Sequence, residues 1–60
     1  MLHTFWVTDI AFNRIQDYVQ SRSSQELYIM HAMHDIDSMR YVLLVECPDR
    51  DAVFLRLLEH

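Results

Sequence analysis

The chain has 60 residues, of which 52% are hydrophobic and 23% charged, with a formal net charge of −4. It contains no Gly, no Lys and a single Cys. Those counts exclude glycine-built phosphate loops, an internal disulfide framework and a four-thiolate zinc site. The acidic balance disfavours direct nucleic-acid binding, and the apolar content argues against disorder. A domain of this length buries only about 60% of the surface its unfolded chain exposes. Self-association or a tight partner is the expected supplement.

Leu2 to Thr8 is short, aromatic and β-branched, which predicts a first strand. Thr8 or Asp9 then offers an oxygen to cap a helix. Ala11, Phe12, Ile15, Tyr18 and Val19 recur at helical spacing and predict that helix from Ile10 to about Gln20. The polar run Ser21-Arg22-Ser23-Ser24 predicts a loop. Glu26 to Ile36 carries both helix-favouring Met and Ala and strand-favouring Tyr and Ile. A strand is preferred, because the next segment needs a partner. Arg40 to Cys47, with Tyr41-Val42-Leu43-Leu44-Val45 inside it, is the clearest strand in the chain. Asp37-Ser38 between the two is expected to form a two-residue turn. Pro48-Asp49-Arg50-Asp51 opens a second helix, with Asp49 as its expected cap and Asp51 in the first turn, where the helix dipole favours an anion. Ala52 to Leu58 continues it.

The order β-α-β-β-α predicts one α+β domain: a three-stranded antiparallel sheet with two helices on one face. This is the ferredoxin-like arrangement without its fourth strand. The third strand would lie between the other two, leaving the first as an open edge. The domain is expected to span residues 1–57. Leu58-Glu59-His60 has the form of an expression-tag junction, so residues 58–60 are read as a tag remnant. No leader or membrane-spanning stretch is read in the sequence, and the expected compartment is the cytoplasm.

With a turn at Asp37-Ser38, Asp35 falls opposite Arg40, Met33 opposite Val42, His31 opposite Leu44 and Ile29 opposite Glu46. The other face would hold Tyr28, Met30, Ala32 and His34 with Tyr41, Leu43, Val45 and Cys47, under the helices. The outward face is therefore expected to show Ile29, Met33, Val42 and Leu44, with His31, Thr4 and Trp6 beside them. A sheet with one wet face ordinarily alternates apolar and polar residues. An apolar outward face marks a binding surface. The second helix, apolar over most of its circumference, is expected to need either close packing on the first helix or another chain.

The densest polar cluster is His31, His34, Asp35 and Asp37. In a helix the two histidines would share a face, whereas in a strand they point to opposite sides. Asp9, His34, Asp35 and Asp37 could still converge at one pole as a weak divalent site, against the plainer reading of a solvated turn with a capping Asp. No metal site and no cofactor are expected. Cys47 sits near a helix start, but Glu46, Asp49 and Asp51 oppose a thiolate, so a buried structural Cys is expected. No catalytic pattern is present, and an enzyme is not expected.

The functional expectation is a small acidic protein-interaction module, an inhibitor that occludes a functional surface of a protein target. Phage-encoded inhibitors of host enzymes or immune complexes, anti-CRISPR proteins among them, have this profile of size and charge. The partner-binding residues are expected to be Trp6, Ile29, Met33, Val42, Leu44, Asp35 and Asp37. Trp6 would be the anchor, and the acids would meet a basic target surface. Strand addition at the first strand is one expected route, and the partner is a protein target, a second copy as a homodimer, or both. The alternatives are a dimeric small-ligand regulatory domain and a weak metal-binding protein using His31 or His34.

Overall fold

The computed structural model describes residues 1–22 and 25–59. Five elements follow in the order β1 (Leu2–Val7), α1 (Asp9–Arg22), β2 (Tyr28–Asp35), β3 (Arg40–Glu46) and α2 (Asp49–Leu58). The strands form one antiparallel sheet in the order β1-β3-β2, so the last strand in sequence is the central one. This is the α+β arrangement expected from the sequence.

Local chemistry explains the boundaries. Thr8, not Asp9, caps α1: the Ala11 N–H donates to its hydroxyl oxygen at 3.3 Å and the Phe12 N–H to its carbonyl at 2.8 Å. Asp9 stands in the first turn, where a carboxylate suits the dipole. The helix runs through Arg22, further than expected, and the Ser21 hydroxyl donates to the Tyr18 carbonyl at 2.8 Å in its last turn. Ser23 and Ser24, the rest of the expected loop, lie outside the described residues. Asp49 is not the cap of α2 but its first residue. Pro48 holds the cap position with extended backbone, and its carbonyl accepts the N–H groups of Asp51 and Ala52. Proline supplies no side-chain acceptor at the cap, but its ring holds φ at −64°, compatible with the extended backbone there.

The β2–β3 connection differs from the expected two-residue turn. Four residues, 36–39, join the strands. Asp35 closes the loop: its carboxylate accepts the Asp37 N–H at 3.2 Å and the Ser38 hydroxyl at 2.9 Å. Met39 completes it with φ at 58°, a left-handed conformation that glycine would ordinarily occupy. The pairing beyond the loop is as expected, with Asp35 opposite Arg40, Met33 opposite Val42 and His31 opposite Leu44.

A bulge then shifts the register. Ile29 pairs with Val45 and Tyr28 with Glu46, leaving Met30 as the extra residue. Because the side-chain period of a strand is two, one inserted residue exchanges the faces beyond it. Ile29 therefore packs against the core, and Tyr28 is carried outward. The assignment of Ile29 to the outward face, and of Tyr28 and Met30 to the inward one, is corrected accordingly.

The core lies between the sheet and the helices. Phe5, Val7, Leu43, Val45 and Cys47 of the sheet side meet Ala11 and Ile15 of α1, Ala52 and Leu55 of α2, and Leu27 before β2. The helices are tied to each other by a polar contact inside this layer. The Tyr18 hydroxyl donates to the buried Asp51 carboxylate at 2.8 Å, with Arg22 at 3.4 Å from the same oxygen. The Tyr18 and Phe54 rings meet at 4.7 Å. Close helix packing thus absorbs part of the apolar surface of α2, while Val53 and Leu57 stay exposed. Leu58, read from sequence as part of a tag, packs on the core.

Candidate interaction surface

The face of the sheet turned away from the helices carries Thr4 and Trp6 from β1, Val42 and Leu44 from β3, and His31 and Met33 from β2. Trp6 is 52% exposed and Met33 56%, whereas Val42 and Leu44 are half-buried between them. Leu2, Tyr28 and Met30 extend the exposed apolar area toward the opposite end from the hairpin. Four of the five apolar residues expected on this surface are there: Trp6, Met33, Val42 and Leu44. Ile29 is not, for the reason given above.

Charge frames this patch. The Arg40 guanidinium lies over the Trp6 ring, 4.8 Å from its centroid, a cation–π contact between the two side chains. Among the described residues Arg40 forms no ion pair with a carboxylate, because Asp35 opposite it is turned into the hairpin loop. At the far end of the same strand, Glu46 accepts the Met1 ammonium at 3.2 Å. Met33, Asp35, Asp37 and Val42 come together with His34 and Ile36 around an open concavity of about 520 Å³ at the hairpin. Asp37 is exposed there and its N–H is committed to the loop, while Asp35 is half-buried with both carboxylate oxygens engaged.

The edges of the sheet behave differently from expectation. The Trp6 N–H donates to Glu59 Oε2 at 3.1 Å, and Arg56 Nη1 donates to the Thr4 carbonyl at 3.0 Å. Arg56 and Glu59 also lie 3.4 Å apart, and the Arg56 guanidinium covers Phe5 at 4.3 Å. Two main-chain groups that an added strand would use on β1 are therefore already satisfied by side chains from the end of α2. This is a device that blunts an edge against unwanted pairing. At the opposite edge, most residues of β2 are exposed.

The polar candidates do not assemble into a reactive centre. His31 faces outward opposite Leu44, whereas His34 stacks on Tyr41 at 4.6 Å on the other side. Among the described residues no group of three or more His, Cys, Asp or Glu side chains is placed to hold a metal ion. Cys47 is fully buried. Burial pushes its thiol pKa up, and the charges of Asp51, Glu46 and Asp49 add to that against a smaller lowering by the amino terminus. The Tyr18 hydroxyl is also raised, chiefly by its hydrogen bond to Asp51. The Tyr18–Asp51–Arg22 contact is one that sequence reasoning missed. Its only signal was an acid in the first turn of one helix, already assigned to the helix dipole, and a Tyr–Arg pair four apart on the other.

What the fold and surface define is a small α+β unit with one helical face, one largely apolar open sheet face and one capped edge. The sequence matches no protein-family model, and neither curated proteins nor solved structures give a significant match. Among the described residues no helix is long and apolar enough to cross a membrane.

Proposed function

We propose that the chain is a protein-interaction module that works by laying its outward sheet face on protein surface. In its inhibitor form, the surface covered is a functional one on a target. The observation that carries the proposal is the contiguous placement of Trp6, Met33, Val42 and Leu44 on the side of the sheet the helices leave open. Burying such side chains gives about 25 cal/mol for each Å² of apolar area removed from water. A Trp steadied by an Arg is the kind of group that dominates an interface. Asp37 at the rim supplies charge complementary to a basic surface. Asp35 contributes charge too, but its carboxylate also builds the loop.

The test is site-specific photo-cross-linking. Met33 is replaced by p-benzoylphenylalanine, and a control chain carries the same group at Gln16 on the exposed side of α1. Irradiation in an extract of the source cells is expected to give a discrete protein adduct from position 33 and none from position 16. Adding Asp37→Lys should diminish a heterologous adduct without unfolding the loop. Equal labelling from both positions, or none from position 33, rejects the proposal.

A further inference from the structure

We infer that the occupant of the outward sheet face is a second copy of this chain, packed face to face with its strands antiparallel about a twofold axis. The inference rests on the reading of this face as a docking surface and names its partner. It comes from the central strand. Along β3 the outward row is Arg40, Val42, Leu44 and Glu46: a cation, two apolar residues and an anion, spread over about 20 Å. Reversed end to end, this row is its own complement.

A twofold axis lying in the interface and perpendicular to the strands performs that reversal. Arg40 then lies over the partner's Glu46, and Val42 over the partner's Leu44, twice by symmetry. The flanking strands follow from the observed register. Trp6, level with Val42, meets the partner's Thr4, and Met33 meets the partner's His31. Asp35, level with Arg40, falls at the corner occupied by the partner's Tyr28, with its carboxylate kept in the hairpin loop. No like charges face each other. A twofold axis parallel to the strands would instead set Arg40 on Arg40 and Glu46 on Glu46. Sheets that pack face to face keep their strands within about 30° at a separation of about 10 Å, so an Arg side chain spans the offset at either end. The state of the two charges fits this role: Arg40 rests on Trp6 without a carboxylate partner among the described residues, and Glu46 is held in place by the Met1 ammonium.

The experiment uses the whole chain and two charge reversals. Arg40→Glu gives a row with acids at both ends, and Glu46→Arg gives one with bases at both ends. Molar mass by light scattering over a hundredfold concentration range is expected to rise to twice the 7.3 kDa of one chain for the unsubstituted protein. Each reversal alone should weaken that association by at least about tenfold, because two like-charged pairs replace two opposite ones. Mixing the two variants in equal amounts should restore the doubled mass, since every pair across the mixed interface is again opposite. Circular dichroism checks that each variant is folded. Should a reversal fail to fold, the Met33 photo-cross-linker in the purified chain gives the second readout, a covalent dimer of the chain.

An unsubstituted protein that stays at the mass of one chain overturns the inference, and so does a mixture that fails to recover. If the purified chain gives no covalent dimer while position 33 still cross-links to a different protein in extract, the inference fails and the proposed function stands. If position 33 gives neither adduct, both fall.

Discussion

A polar contact that ties α1 to α2 can be broken by removing one oxygen atom. In Tyr18→Phe the ring keeps its place against Phe54, but the hydroxyl 2.8 Å from Asp51 Oδ1 is gone. The carboxylate it leaves is 3% exposed and retains Arg22 at 3.4 Å as its charged partner. Arg22 is itself substantially exposed, so water screens that pair and it replaces little of what is lost. A hydrogen bond to a charged group contributes about 1.5–3 kcal/mol, so a loss of about 2 kcal/mol is expected. A chain of this length has a total stability of roughly 3–9 kcal/mol, which makes the change a large fraction of it. The melting temperature should fall by about 8–16 °C. Urea unfolding followed by circular dichroism at neutral pH measures the loss, with Gln16→Ala on the exposed side of α1 as the control. The pH dependence has a definite sign. The folded-state pKa of Tyr18 is raised, so its contribution is complete below the unfolded value of about 10 and is lost as pH rises through the folded value. The gap between the two proteins should therefore narrow on the alkaline side of about pH 10. A Tyr18→Phe protein within about 0.5 kcal/mol of the unsubstituted one at pH 7 would refute the argument that this bond ties α1 to α2.

Three further outcomes are expected. Met39→Gly should stabilise the chain by about 0.5–1 kcal/mol, since a left-handed L-residue costs about 1–2 kcal/mol and glycine returns part of that through its freedom when unfolded; a lower urea midpoint would count against it. Removing the β1 cap with Arg56→Ala and Glu59→Ala together should raise hydrogen exchange at the Trp6 amide by about fivefold or more, for the loss of one hydrogen bond, and favour edge-to-edge aggregation; unchanged protection at that amide would show the edge does not depend on the cap. Cys47 should react with a disulfide reagent at pH 8 on the order of a hundredfold more slowly than in the urea-unfolded chain, because it is buried and its thiol pKa is raised; comparable rates in both states would place the thiol at the surface.

The division of the chain into elements could be read from the sequence because it depends on local signals: β-branched runs, helical spacing in α1, and the Pro48-Asp49 start of α2. The pairing of Asp35 with Arg40 could be read too, since strands joined by a short loop have little choice of register next to it. The bulge at Met30 could not. Tyr28, Ile29 and Met30 are all apolar, so a one-residue slip leaves the apolar pattern unchanged and nothing local marks the extra residue. It is the pairing of Ile29 with Val45, a core residue, that sets Ile29 on the inward face. The loop was misjudged for a related reason. Without Gly, the tight two-residue hairpin is costly, and the chain uses a longer loop closed by Asp35 and a left-handed Met39.

The same distinction separates the interaction surface from its surroundings. An outward apolar face is a property of alternation along single strands, and for Trp6, Met33, Val42 and Leu44 alternation was enough. Whether an edge is open is a property of elements far apart in sequence: Thr4 and Trp6 are covered by Arg56 and Glu59, 52 and 53 positions later. Those two residues change which interactions the sheet can make. With β1 blunted, lateral growth through that strand must first displace a charged pair, whereas the apolar face beneath Trp6 and Leu44 stays open. The arrangement disfavours association at the β1 edge, and in the dimer proposed above the oppositely charged ends of β3 would select the orientation on the face.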